Sequence, residues 1–379
     1  MLFSRLRFGI VVLRIVAVKV WTLIGASWPF ILVAGLSSPA SASTAASLLN
    51  DYNLIVFGDA TSSSDVDGKA FVGGSLSGGG FDEHKVSGGP GVNALTVGGN
   101  LSGSVTVNGP GVAVGGNLAT GNYNGNGGGN AFIGGSWTGS ANFNENGSGS
   151  VYLGGTKTGS GNVNGGTLYQ NQNSSSFTSN LPTTATTNSI ESTLKSYSSF
   201  LGSLSPNSTF TIAGGKATFN AAPNAEGIAV FDITNAQTFF NNVAEILFDV
   251  NGAKELIIDV SGAGAGNLNI NVNFLNGQAQ SLATDAIWNF TDAKNITVKA
   301  QFGGDLLAAY AAVTLDQNEE GTLVAQSLSQ HGEVHYDGAN TNFLTQTPLP
   351  ASLSLFGGGL ALLGFLTRKR LGAIRGKAS

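Results

Sequence analysis

Side chains capable of chemistry are sparse in this chain and gather in three short places. The first is HGEVH at 331–335. On a strand, side chains alternate between faces, so His331, Glu333 and His335 would share one face and could hold a metal ion. The spacing is not that of the helical HExxH zinc pattern, and a polar strand end is the plainer reading. The second is DVDG at 65–68. Two carboxylates before a glycine invite a calcium reading, but the remaining carboxylates and the closing glutamate of an EF-hand loop are missing, which favours a solvated turn. The third is Asp82-Glu83-His84, in a glycine-rich loop with no nucleophile to pair with it. Polysaccharide-cleaving β-helices set carboxylates on one face, yet no such pair can be singled out from sequence. The sequence therefore assigns no catalytic residue, no metal ligand and no cofactor; calcium at the acidic loops is the one ionic option it leaves open.

The elements that would carry these residues are announced by a repeat. AFVGGSLSG at Ala70 returns as LTVGGNLSG at Leu95, VAVGGNLATG at Val112, AFIGGSWTG at Ala131 and VYLGGTKTG at Val151. Self-similarity with a period near twenty residues marks a solenoid, whose coils bury an apolar face only by stacking. The residues one and three places before each glycine pair are all apolar and share a strand face pointing inward. The middle row, Phe71, Thr96, Ala113, Phe132 and Tyr152, is mixed and is expected to face out. The glycine pair is expected to turn the chain where side chains would clash and where positive φ is favoured. After it comes a small polar residue (Ser75, Asn100, Asn117, Ser136, Thr156) able to hydrogen-bond from coil to coil. Then follows an inward Leu76, Leu101, Leu118 or Trp137. Lys157 in the fifth copy marks the end of the regular run. No lysine-serine follows these glycines and no helix opens at them, so they are not phosphate loops.

The repeats cover 70–168. The stretch 169–187 reads as a linker, and a single long helix is expected over 188–204. Asn188 and Glu191 suggest a capping box, Ile190, Leu194, Tyr197, Leu201 and Leu204 form one stripe, and Pro206 closes it. Such a stripe is a packing face, and the helix is expected to lie along the solenoid. From 210 to 343, runs such as GIAVFDI, KELIIDV and NITVKAQF read as closing strands, further coils of the same body. The fold class is all-β dominated: a parallel β-helix-like solenoid with one helix alongside.

Composition and charge fit an exported body. The 379 residues include 56 glycines and no cysteine, so the fold uses no disulfides. Between Asp51 and Asp337 lie all 22 carboxylates against eight lysines, a balance of −14. No basic nucleic-acid face is visible there. Residues 1–42 read as a signal peptide: Arg5, Arg7, Arg14 and Lys19 precede an apolar run at 20–36, and Ala40-Ser41-Ala42 is a small-x-small cleavage site before Ser43. The alternative is an uncleaved anchor. At the other end, 347–379 reads as a sorting signal, with 16 charge-free residues at 351–366 as a short, glycine-weakened membrane segment and a basic tail that should stay cytoplasmic.

That tail resembles the PEP-CTERM class of sorting signals, in its Val-Pro-Leu-Pro-Ala variant. Pro348, Leu349, Pro350 and Ala351 match with Thr347 in place of valine, Arg368, Lys369 and Arg370 form the basic cluster, and the tail runs nine residues past Arg370, longer than is usual. The resemblance implies recognition by an exosortase-type enzyme in the inner membrane of a Gram-negative bacterium, then passage to the cell surface or extracellular matrix. The body, 43–346, resembles the choice-of-anchor A family. The carrying stretches are YNLIVFGDATSSSDVDGKAFVGGSL at Tyr52, the glycine-pair coils, AIWNFTDAKNITV at Ala286, and FGGDLLAAYAAV through GTLVAQSLSQHGEVH; Ala309 stands where that family often has proline. It implies a surface-displayed adhesive module and brings no catalytic residues. The order of repeats, lateral helix and closing strands also resembles bacterial ice-binding solenoids, an architectural likeness that carries no function by itself. The expected function is an exported structural or adhesive protein binding polysaccharide or protein at the surface. Ice binding is the alternative, and a carbohydrate-active enzyme the more distant one.

Overall fold

The computed structural model describes residues 44–84, 92–144 and 149–336. Its strands form a parallel solenoid with three faces. On the first face, Ile228–Ile233, Glu255–Val260, Ala286–Phe290 and the early halves of Asp305–Leu315 and Leu323–Gln330 stack in register. Leu54–Val56 comes next, pairing with Leu323 to Ala325 on one side and Ala70–Val72 on the other. The glycine-pair strands Leu95–Val97, Val112–Val114, Ala131–Ile133 and Val151–Leu153 continue the stack, and Leu168–Tyr169 ends it. The first coil of the body thus sits in the middle of the stack. The chain climbs to one end, returns, and climbs again to meet its own beginning.

The return is made by helices. The first of them, α2 (Ser175–Thr178), is capped by Ser174; a separate short helix, α1 (Ala45–Asp51), capped by Thr44, precedes the first coil. The long helix α3 is Thr184–Leu201, capped by Thr183, whose hydroxyl accepts from Thr186 N at 3.1 Å. The expected start at Asn188 is therefore one turn late. Thr183 out-competes it because Pro182 has just reset the backbone, and Glu191 pairs with Lys195 at 2.5 Å instead of capping. The 18 residues of α3 span about 27 Å, roughly the height of five or six rungs. The descent can be followed from the glycines it passes: Phe177 lies beside Gly154, Leu181 beside Gly134, Pro182 beside Gly115 and Thr187 beside Gly73.

The middle row of the repeat does point out of the coil, but its early members do not meet water. Ile55, Phe71, Val230, Ile257, Ile287, Leu307 and Val324 form a second apolar layer under Leu48, Leu49, Ile190, Leu194, Tyr197 and Leu201 of α1 and α3. Inside the solenoid, Leu54, Val72, Leu101, Trp137, Phe81, Phe143, Phe231 and Trp288 belong to one continuous core. A coil that buries apolar residues on both faces of a strand reads as a nearly unbroken hydrophobic run, as Leu54–Val56 and Ala70–Val72 do.

The glycine pairs have a different cause from the one expected. None of Gly73, Gly98, Gly115, Gly134 or Gly154 takes positive φ. A Cβ on each would stand 2.0 to 2.4 Å from a carbonyl oxygen of the preceding coil. The second glycine of each pair makes room for a side-chain acceptor of the coil below. Asp59 Oδ1 accepts from Ser75 N at 2.7 Å, Ser75 Oγ from Asn100 N at 3.1 Å, Asn100 Oδ1 from Asn117 N at 2.8 Å, and Asn117 Oδ1 from Ser136 N at 2.8 Å. These bonds satisfy corner N–H groups that the ladder cannot reach. At the end of the run Lys157 lies over the Trp137 ring, its Nζ 4.8 Å from the centroid.

The closing strands are coils of the same body, with one addition. Lys216–Asn220, Glu245–Asp249 and Asn273–Phe274 run parallel, and Thr209–Ala213 folds back antiparallel on the first of them. The hairpin strand thereby becomes the edge of that sheet, and its residues are mostly exposed.

Candidate functional site

The second face carries Asn267–Ile270, Asn295–Val298, the later halves of Asp305–Leu315 and Leu323–Gln330, Ala60–Ser62, and the starts of Leu76–Phe81, Leu101–Val107 and Leu118–Gly125. Its inward column is Leu268, Ile296, Val313, Leu328, Ala60, Leu76, Leu101 and Leu118, all buried. Its outward column, in the same register, is Asn269, Thr297, Thr314, Ser329, Thr61, Ser77, Ser102 and Ala119, half-buried or exposed. No helix covers this column among the described residues. Rows of hydroxyls and amides on a parallel sheet repeat at about 4.8 Å. This is the outward face that reading the repeat alone misplaced: it follows the glycine pair rather than preceding it, in the alternation of LSG, LSG and LAT.

A groove of about 530 Å³ opens where the second and third faces meet. Register brings Asp65 opposite Gly80, Gly80 opposite Thr106, and Thr106 opposite Asn124. The groove floor is glycine: Gly78, Gly79 and Gly103 take φ of 79°, 100° and 73° at breaks in the strand register. A Cβ on Gly80 would lie 2.2 Å from Asp65 Oδ1 and 2.6 Å from Glu83 Oε1, so both carboxylates close over the same backbone atom. DVDG and DEH, separate in sequence, thereby become one constellation. Partial burial, then Glu333 and Asp67, pushes the Asp65 carboxyl up from its ordinary range. Glu83 is pushed up by burial and by Asp65, against a hydrogen bond from Asn108. Asn108 starts a ladder: its Oδ1 accepts from Asn126 at 3.0 Å, Asn126 from Asn144 at 3.0 Å, and Asn144 from Asn164 at 2.8 Å.

The histidines of HGEVH separate. His331 Nδ1 lies 3.0 Å from Asp316, while His335 lies 3.0 Å from Glu320 through Nδ1 and 2.7 Å from Glu333 through Nε2. Glu333 and His335 do meet on one face. Burial works against protonating His335, but its bonds to Glu333 and Glu320 outweigh that and raise its pKa above the usual histidine value. Val334 pairs with Val66 and Tyr336 N donates to Asp67 at 3.1 Å, so this segment fastens the last coil to the first. No group of three or more His, Asp or Glu side chains able to hold a metal occurs among the described residues.

Phe132, Tyr152 and Tyr169 stack at 5.1 and 5.0 Å, ring on ring. Stacked in this way they offer edges to solvent and a single open ring face, at Tyr169, which is 42% exposed. Of the residues assigned to export, Ala40, Ala42, Pro348, Leu349, Pro350, Ala351, Arg368, Lys369 and Arg370 lie outside the described residues, as does the segment 351–366. Within them no helix is long and apolar enough to cross a membrane.

The molecule is thus a parallel solenoid with one face sealed by helices and another left open. The family described as "Putative Ice-binding-like adhesive domain" matches residues 45–336, and the chain belongs to it. No curated protein matches the chain. Among solved structures, an ice binding protein from an Antarctic bacterium, Flavobacteriaceae, covers 77% of this chain and 97% of its own at 13% identity and a TM-score of 0.24. A likeness that distant carries no argument about this chain.

Proposed function

We propose that the protein is an exported, non-catalytic adhesive or structural component of the cell surface or extracellular matrix, where it binds polysaccharide or protein. The observation that carries this reading is the uncovered second face, an in-register field of Thr, Ser and Asn on a scaffold of the adhesive-domain family. Hydroxyls and amides can both donate and accept, which suits a hydroxylated polymer or a peptide backbone. Export follows from the signal ending at Ala42. Pro348, Leu349, Pro350 and Ala351, with Arg368, Lys369 and Arg370, supply the tail for an exosortase-type enzyme at the inner membrane of a Gram-negative cell. Deleting the gene should lower surface attachment and matrix retention; unchanged attachment and an unchanged matrix would overturn the reading.

The second face also favours a second reading, ice binding, because a hydroxyl-bearing lattice of fixed repeat can order water. The purified protein would then show thermal hysteresis that Thr61→Tyr and Thr314→Tyr reduce together. A complete lack of hysteresis in the native protein removes this reading and leaves the adhesive one intact.

A further inference from the structure

We infer that the groove at the junction of the second and third faces is a subsite for a glycan bearing free amino groups, a polymer of hexosamine. The inference deepens the adhesive reading and rests on it. Three features of the groove point to that chemistry.

Its shape comes first. The lining passes from Asp65 through Gly80 and Glu83 to Ser104, Thr106 and Asn124, one coil after another. Coils recur at about 4.8 Å, comparable to the rise of one pyranose unit. A glycan lying along the solenoid axis therefore meets a new set of polar groups at each sugar, the carboxylates at one end and hydroxyls and amides beyond. The volume of about 530 Å³ falls within the range of ordinary ligand sites. The floor at Gly79 is packed from below, since a Cβ there would meet Ser62 and the buried Phe81 at 2.8 and 2.9 Å, so no side chain at this position can rise into the groove.

Its walls come second. Serine and threonine hydroxyls and the amides of Asn122 and Asn124 provide donors and acceptors for sugar hydroxyls. No Lys, Arg or His is among the described lining residues. An acidic polysaccharide would bring its carboxylates against Asp65 and Glu83 without compensation.

Its charge comes third. Asp65 faces Glu333 and Asp67, and Glu83 faces Asp65, so carboxylates here repel one another. The neighbouring His84 ring is turned to Asp67, its Nδ1 3.2 Å from the carboxylate. An ammonium seated over Gly80 reaches both carboxylates, makes charge-assisted hydrogen bonds and relieves the repulsion. A neutral, N-acetylated sugar gains only the hydroxyl contacts.

The test is calorimetric titration of the full-length chain in detergent, with and without EDTA. The probes are a glucosamine hexamer, its fully N-acetylated counterpart and an oligo-uronate. The glucosamine hexamer is expected to bind at least tenfold more tightly than the N-acetylated one, and the oligo-uronate not at all. Asp65→Asn with Glu83→Gln, near-isosteric, should weaken glucosamine binding at least tenfold with no fall in melting temperature, since it also relieves the repulsion between the two carboxylates. Ser104→Trp, which fills the groove and leaves the carboxylates, should do the same. Equal affinity for the two hexosamine probes, unchanged binding by the double variant, or binding lost in EDTA overturns the inference. If glucosamine fails to bind but deletion of the gene still lowers matrix retention, the subsite falls and the adhesive reading stands. If deletion changes nothing, the adhesive reading falls whatever the groove binds.

Discussion

Asp305 should make the fold less stable as pH rises through neutrality. It sits on the first face, 3% exposed. Its Oδ1 accepts from Thr322 N at 2.7 Å, and its Oδ2 has no hydrogen-bond partner among the described residues. Burial pushes its pKa up to about 7, against the opposing bonds from Thr322. Unfolded, the same carboxyl would titrate near 3.8. Between these values the folded chain holds a proton that the unfolded chain has lost, so stability falls by about 1.4 kcal/mol per pH unit per group. The stability present below the unfolded value is lost as pH climbs to the folded one, a loss of at most about 4 kcal/mol from Asp305. Asp259, buried and pushed up to about 6, adds to the loss over the lower part of that window. Asparagine at 305 resembles the protonated acid: it keeps the acceptor for Thr322 and cannot ionise. Urea unfolding at pH 4.5 and pH 8 is the assay. Asp305→Asn should match the native protein within about 1 kcal/mol at the lower pH and exceed it by about 2–4 kcal/mol at the higher. An identical pH slope in the two proteins would refute the claim that Asp305 holds a proton in the fold.

Other perturbations read other parts of the structure. Gly134→Ala places a Cβ 2.2 Å from the Gly115 carbonyl, and should cost about 3 kcal/mol or more in urea unfolding by forcing the coils apart. Leu194→Ala removes a fully buried side chain where α3 seals the first face, and should cost about 2–5 kcal/mol. Asn126→Ala breaks the asparagine ladder in its middle and should cost about 1–2 kcal/mol. His335 carries a raised pKa, so its bonds to Glu320 and Glu333 stabilise the seam below the ordinary histidine value and fade as pH rises through the folded one. His335→Gln should flatten that part of the stability profile, and amide hydrogen exchange at Val334 and Asp67 is the sensitive readout.

The solenoid was legible because its cause is local and repeated. An apolar residue one and three places before every glycine pair is a pattern that only stacking can use, and the polar residue after the pair is the ladder itself. What the repeat could not reveal was which outward row would be covered. Phe71 and Thr96 occupy the same kind of position as Thr61 and Ser77 on their own strands. The difference is made by α3, some hundred residues away, whose stripe needs an apolar partner and finds it on the first face. The groove was hidden for a related reason. Asp65 and Glu83 are eighteen positions apart, and only the register that sets Asp65 against Gly80 brings them over one backbone atom. The capping box at Asn188 was a sound local signal overruled by Thr183, which a threonine-rich segment disguised as a loop.

The route of the chain bears on how such a scaffold could be displayed. Because Leu54–Val56 lies inside the stack, both ends of the described body come together at one seam rather than at opposite poles. Val334 pairs with Val66, and Tyr336 donates to Asp67. A tether continuing from Tyr336 therefore starts at mid-height of the solenoid, on the third face, beside the groove. Held there, the molecule leaves both poles and the whole second face clear, and a ligand in the groove lies close to the point of attachment. Circular permutation offers a direct check. Joining residue 336 to residue 44 through a flexible linker long enough to span α1 should preserve the fold, since the chain just after α1 is fastened there, Asn53 donating to the His335 carbonyl at 3.1 Å. New termini opened at Gly252, a positive-φ turn where a Cβ would meet nothing within 4 Å, should then place the tether near one pole. If groove binding survives that change while matrix retention falls, presentation from the seam is part of the function. If both persist unchanged, the seam is a consequence of folding alone.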